Sequence, residues 1–333
     1  MPKSVPKKDQ TKTTESEHCS TSYTRPMGST PIALPTAQQA PLCADFARAN
    51  EVDPGGTALA PDVVVLIELD EPWPKPVGKH EAMVELVQAA QARPETIRLL
   101  AAVPITDAPR RVIAFRPTPT GATRSERLLC VDPVAALHEA LDDASPAVES
   151  ASDGPTAMLI CTQGSHDVCC GTQGVAFAEW VEQNSDVEIF RISHTGGHKF
   201  APTAMTLPDG RMWAYLDQPS IEQILDRRDA SSIAKKCRGW WGAPKGAAQV
   251  AERAVFAELG FQVDALERSV TVLEPPADET TPRSFVTVRV GGRGFDVVVE
   301  PGREIPTIAC GTPGGQPVKP SIEWVVVEGP TER

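Results

Sequence analysis

"TAMLICTQGSHDVCCGTQGVAFAEWVEQN", Thr156 to Asn184, opens as a strand and closes as a helix. "TAMLIC" is an apolar run of strand length, and "GVAFAEWVEQN" reads as a helix. The polar loop between them holds Cys161 at the strand end and Cys170 just before the helix. Gly171 and Gly174 let the backbone there pack against something bulky. Downstream, "VEIFRIS" reads as a strand and "TAMTLPDGRMWAYLD" as two strands about the turn Pro208-Asp209-Gly210. "PSIEQILDRRD" reads as a helix. The order is strand, helix, strand, strand, strand, helix.

The same order stands upstream. "PDVVVLIELD" (Pro61 to Asp70) reads as a buried strand and "EPWPKPVG", by its prolines, as a loop. "KHEAMVELVQAAQA" places Met83, Leu86, Val87 and Ala90 at helical spacing. "TIRLLAAVP", "RRVIAFRP" and "RLLCV" read as three strands. "DPVAALHEALDDA" reads as a helix with Asp132 at the N-cap and Pro133 in its first position. Two α/β lobes of one architecture are therefore expected, joined by the linker "SPAVESASDGP" (Ser145 to Pro155). In the final third, a helix is expected over Pro244 to Leu259, stopped by Gly260. "RSVTVLE", "SFVTVRVGGRGFDVVVE" and "IEWVVVE" read as strands, with "VGGRG" as a tight hairpin turn. The expected divisions are an arm over 1–40, an N-terminal lobe over 41–150, a second lobe over 151–230, and a helix and β segment over 231–333.

At 333 residues the chain is long for one domain and ample for two. Aromatics are only 5%, so its cores must rest on Ala, Val, Leu and Ile. A formal charge of −12 argues against nucleic acid and anionic membranes, and suits a basic partner patch. No apolar run approaches the roughly 18 residues that span a bilayer. The Pro-, Ser-, Thr- and Lys-rich N-terminus lacks an apolar core, so it reads as a disordered arm of about forty residues rather than a secretory signal. A cytoplasmic location is expected. Thiols stay reduced there, so the eight cysteines are not expected to form a disulfide framework.

The chemistry concentrates in "CTQGSHDVCCG" (Cys161 to Gly171) and "SHTGGH" (Ser193 to His198). The glycines between His194 and His198 oppose a helix, so the two histidines belong to a loop. If the preceding strands are parallel neighbours, both loops meet at one end of the sheet. Two thiolates and two imidazoles then permit either tetrahedral zinc or a [2Fe–2S] cluster with two Cys on one iron and two His on the other.

Together, "CTQGSHDVCCG" and "SHTGGHKFAPTAMTLPDG" resemble the sucrase/ferredoxin-like family, with "LIELDEPWP" and "RGWWG" as weaker segments. The resemblance covers most of the chain after the arm. It implies two thioredoxin-like α/β lobes, the second a ferredoxin whose cluster ligands fall on Cys161, Cys170, His194 and His198. Gln163 stands where the family pattern has His, and Ser165-His166 where basic residues are usual. Cys169 competes with Cys170, which the spacing favours. The implied function is electron transfer by a [2Fe–2S] protein to or from a redox partner, a reductase or an acceptor enzyme. The alternatives are a structural zinc protein for interactions and a thioredoxin-like thiol oxidoreductase, the latter weakened by the lack of C-x-x-C in this stretch. With two thiolates and two neutral imidazoles, an oxidised cluster would be neutral, which raises its potential over a four-thiolate centre.

The remaining candidates have plainer readings. Cys43, Cys130, Cys237 and Cys310 are expected to be structural, and Cys19 to lie exposed in the arm. His166 is expected to be solvated, with a supporting role for the ligands as the alternative. Trp73, Trp240 and Trp241 are expected to anchor packing. Arg238 and Lys199 fit equally a solvated surface and a role offsetting charge near the site.

Overall fold

A computed structural model describes residues 32–129, 132–143, 147–149, 154–276, 279 and 281–333. Cys19 and Cys130 lie outside them, as does the arm up to residue 31. Residues 32–41 run along the C-terminal segment, where the Gly314 and Gly311 amides donate to the Gln39 and Pro41 carbonyls.

The first lobe is preceded by α1 (Cys43–Ala49). It contains β1 (Val63–Glu68), α2 (Val84–Gln91), β2 (Ile97–Ala102), β3 (Arg111–Thr118), β4 (Gly121–Leu128) and α3 (Pro133–Asp142), with the short strand β5 (Ala147–Glu149) after it. The second contains β6 (Ala157–Cys161), α4 (Val175–Asn184), β7 (Glu188–Ile192), β8 (Ala204–Leu207), β9 (Arg211–Trp213) and α5 (Gln218–Leu225). After it come α6 (Ala230–Ile233), β10 (Cys237–Trp240) and α7 (Ala247–Leu259). Last come β11 (Arg268–Leu273), β12 (Ser284–Val290), β13 (Arg293–Ile308) and β14 (Pro317–Glu332).

Ten strands form one sheet in the order β10-β9-β8-β6-β7-β2-β1-β3-β4-β5. In the first lobe β1 runs parallel to β2 and antiparallel to β3, which is antiparallel to β4. In the second, β6 bears the same relations to β7 and β8, and β8 to β9. The expected repeat is thus present strand for strand. The lobes join edge to edge and antiparallel, with Ala102 opposite Ile192. β10, from the segment drawn as C-terminal, pairs with β9 and extends the second lobe's sheet.

Every residue of β1 is buried because both of its faces are covered. Successive side chains of a strand point to opposite faces. Val63, Val65 and Ile67 therefore meet Met83, Leu86, Leu137 and Leu141 of the helical layer. Val64 and Leu66 meet a core shared between the lobes, which includes Leu159, Phe190, Met205 and Trp241. Trp73, Trp240 and Trp241 are all buried, as expected of packing anchors.

Two differences from the sequence reading have physical causes. The strand expected at "RLLCV" begins earlier, at Gly121, and its registered partners in β3 run from Thr118 to Arg111. Apolar periodicity missed it because β4 is held partly by charge: Arg111 pairs with Glu126, and Arg124 with Glu126 and Glu188. Within the expected linker, Ala147–Glu149 pairs with β4 instead of running free.

β11 to β14 form a separate antiparallel sheet, and the β12–β13 hairpin turns at Gly291-Gly292 as expected. α7 starts at Ala247, three residues later than the expected Pro244, and ends before Gly260. It packs on this sheet and carries Glu252 into a buried ion cluster. Arg211 of β9 bonds Glu252 at 2.9 Å and Asp264 at 2.8 Å, and Arg268 reaches both. Breaking such a buried set from one side costs about 3–5 kcal/mol, because it strands a charge. The cluster fastens the second lobe to the C-terminal segment.

Candidate functional site

Because β6 and β7 are parallel with Cys161 opposite Ile192, the chain leaves both strands at the same end. The Thr162 amide donates to the Ile192 carbonyl at 3.0 Å, so the two loops start side by side. One holds Cys161, Asp167, Cys169 and Cys170, then tightens into a π-helical turn over Cys170–Gly174 that feeds α4. The turn packs closely: a Cβ on Gly171 would run into the Cα of Gly164. The other loop carries His194 and, past the left-handed Gly196 and Gly197, His198.

Four contacts shape the histidine loop. The His194 amide donates to Gln163 Oε1 at 3.0 Å, and the His194 carbonyl accepts from Arg98 at 2.6 Å. Arg238 donates to the Gly196 carbonyl at 3.1 Å, and a Cβ on Gly197 would lie 2.7 Å from its guanidinium. The Ser193 hydroxyl accepts from the Ala101 amide at 2.9 Å. Arg98 and Ala101 belong to the first lobe, whose 69–80 loop also covers the cysteine loop. Pro74 and Trp73 carbonyls accept from Gln163 and Ser165, and Lys75 donates to the His166 carbonyl.

Cys161, Cys170 and His194 come together, with their donor atoms all within 4.8 Å of one another. Cys161 Sγ lies 3.7 Å from His194 Nδ1. His198 is not part of that group, although its ring centroid is 5.7 Å from that of His194. Its Nδ1 lies 2.8 Å from Asp167 Oδ2 and 3.1 Å from Cys43 Sγ. Cys169, the competitor of Cys170, faces away towards Cys43 and Cys310, at Sγ separations of 3.6 and 3.3 Å.

His166, expected to be solvated, instead stacks on His194 with centroids 3.6 Å apart and planes 16° from parallel. Arg238, for which a solvated surface stood as an equal reading, is fully buried and donates also to Thr57. Sequence reasoning missed Asp167 as the partner of His198, and its only local signal was an acid in the loop. It also missed Cys43, which lies too far along the chain to leave one.

Electrostatics separate the thiols. The hydrogen bond from Cys170 holds Cys161 well below the ordinary thiol range, with His194 helping and burial opposing. The same bond, with burial, pushes Cys170 up. The pair therefore shares one proton, which a metal must displace on binding. Burial, then the neighbouring His194, lowers His166 to about 4, so it is neutral at physiological pH. A cleft of about 490 Å³, lined by Val77, Arg93, Arg98, His166 and His194, opens beside the imidazoles.

Thiols and imidazoles gathered at the strand ends of an α/β sheet define a protein able to hold a metal. The chain belongs to the sucrase/ferredoxin-like family, whose model matches residues 54–239. No curated protein and no solved structure matches it significantly. Among the described residues, no helix is long and apolar enough to cross a membrane.

Proposed function

We propose that the protein transfers electrons through a [2Fe–2S] cluster held by Cys161, Cys170, His194 and His198. The supporting observation is the spread of the donors. Four ligands on one zinc ion lie about 3.3–3.8 Å apart, given bonds of about 2.0–2.3 Å. His198 stands outside the group formed by Cys161, Cys170 and His194, so the four donors do not converge on one point. The donor set is that of a two-Cys, two-His cluster.

Bound there, the cluster supplies one-electron transfer. The chain's own residues hold its ligands. Asp167 occupies Nδ1 of His198, leaving Nε2 as the nitrogen free to ligate, the carboxylate–histidine arrangement that orients a metal-bound imidazole. Gln163, Arg98 and Arg238 fix the backbone around His194. The buried Arg238 and half-buried Arg98 place positive charge where an added electron is stabilised. The partner is a redox protein, a reductase or an acceptor enzyme, with a basic face to meet the net charge of −12. The cleft beside His194 gives it an approach.

The tight group of Cys161, Cys170 and His194 favours a second reading, structural zinc completed by rotation of His198. Anaerobically purified protein separates the two. The cluster gives visible absorption bands, two irons per chain and a paramagnetic signal on reduction, and single His194→Ala and His198→Ala variants alter or bleach the bands. Colourless protein carrying zinc at these residues would refute the proposal.

A further inference from the structure

Cys169 turns away from Cys170 into a second cluster that needs an explanation of its own. Cys43 opens α1, Cys169 precedes the π-helical turn, and Cys310 follows β13. These sites are 126 and 141 residues apart in sequence for the two contacting pairs, so no local periodicity brings them together. Their sulfurs and a carboxylate oxygen of Asp167 nonetheless lie within 4.8 Å of one another. Cys43 and Cys169 are fully buried. Leu42, Phe46, Ala201 and Ile308 pack around them.

The distances suit one ion. Sγ atoms 3.6 and 3.3 Å apart are far beyond the disulfide bond length of about 2.05 Å. They approach the edge of about 3.8 Å for a tetrahedron built on zinc–sulfur bonds of about 2.3 Å. Both carboxylate oxygens of Asp167 are 3.6 Å from Cys43 Sγ. Backbone amides already point at these donors: Cys43 N lies 3.3 Å from Cys310 Sγ, and Cys169 N lies 2.9 Å from Asp167 Oδ1. Three thiolates and a carboxylate form a closed, soft set that fits structural zinc.

We propose that Cys43, Cys169, Cys310 and Asp167 bind a structural zinc ion, distinct from the centre at Cys161, Cys170, His194 and His198. Binding releases the remaining thiol protons to solvent, with no change of oxidation state. The ion ties α1, the cysteine loop and the C-terminal hairpin together. Cys43 and Cys310 lie outside the family-matched segment, so this centre belongs to the chain's flanks as much as to its lobes. Asp167 links the two sites, since its Oδ2 also holds His198 Nδ1. The proposal stands whichever metal the other site takes.

Metal analysis and zinc-edge X-ray absorption of the full chain, purified in zinc-supplemented medium, test it. The expected result is one zinc per chain with about three sulfurs at about 2.3 Å and one oxygen, beside the two irons of the other centre. If that other centre holds zinc, the count is two and the sulfur share falls accordingly. The double variant Cys43→Ser/Cys310→Ser loses this one zinc at least tenfold and keeps the visible bands. Cys161→Ser does the reverse. Less than one zinc per ten wild-type chains overturns the proposal. So does a single zinc per chain that has two sulfurs and two nitrogens, or that is lost with Cys161→Ser and kept in the double variant. The wild-type absorption spectrum decides even if the double variant fails to fold.

Discussion

The two lobes share strand order and strand sense, yet their central strands end on different chemistry. β1 ends at Glu68, whose buried carboxylate accepts from the Arg111 amide at 2.8 Å and from its guanidinium at 2.6 and 3.0 Å. β6 ends at Cys161, beside His194. β2 runs on into Val103-Pro104, whereas β7 runs on into Ser193-His194. One topology therefore supports an ion pair at one strand end and a set of metal donors at the other. The frame fixes where side chains meet, and the residues at the strand ends decide what they can do.

The strongest way to break this comparison is to alter both strand ends. On the proposed cluster, Cys161→Ser should lower iron content and visible absorbance at least about tenfold, since it removes a ligand. Glu68→Gln should leave both intact and lower the unfolding free energy by about 3 kcal/mol, as expected when one partner of a buried pair is removed. Iron assay and urea denaturation read the two effects. Equal bleaching by Glu68→Gln would mean that the strand-end difference does not locate the centre.

A second contrast sits on the outer strands. In β4, Arg124 is partly exposed and pairs with Glu126 and Glu188. In β9, Arg211 is fully buried among Glu252 and Asp264. Arg124→Ala should cost no more than about 1 kcal/mol, because solvent screens such pairs. Asp264→Asn should cost about 3–5 kcal/mol. The sign of the pH dependence follows from Asp264. Burial pushes its carboxyl up, but Arg211, Arg268 and Arg227 overcome this and hold it below the ordinary range. Folded Asp264 thus stays charged at a pH where the unfolded chain has taken up a proton. Its contribution is complete above the ordinary carboxylate range and drains as pH falls from that range towards the lowered folded value. Denaturation midpoints measured from pH 7 to pH 3 should fall more steeply for the natural protein than for Asp264→Asn.

The outer strands also show what could be read from the sequence. Runs such as "VVVLIE" and "AMLIC" are buried on both faces, so their apolar continuity announced the central strands and, with the intervening helices, the repeat. β4, "GATRSERL", alternates charges that find partners only after folding, and apolar pattern caught only its last residues. The same holds for Arg211 and Asp264. At the site, the spacing singled out Cys161, Cys170, His194 and His198. It could not show that His198 leans on Asp167, or that Cys169 joins Cys43 and Cys310. The first joins two loops of the second lobe, and the second depends on how α1 and the β13–β14 connection return to that lobe.

The smallest effects ask whether the first lobe merely covers the site or also positions it. Arg98 leaves β2, and its guanidinium holds the His194 carbonyl at 2.6 Å. Lys75 reaches the neighbouring cysteine loop by the His166 carbonyl, from an exposed position. Arg98→Met strands the partly buried His194 carbonyl and frees the loop to rotate, so on the proposed cluster iron should pass to a chelator about tenfold faster, the lower end of the usual range for outer partners of a metal site. Lys75→Ala should change that rate less than about twofold, since solvent replaces an exposed contact at little cost. If Arg98→Met held its metal as the natural protein does, β2 would be a wall only. A loss confined to Arg98→Met makes the first lobe part of the centre, through a single guanidinium set on the carbonyl of a histidine in the other lobe.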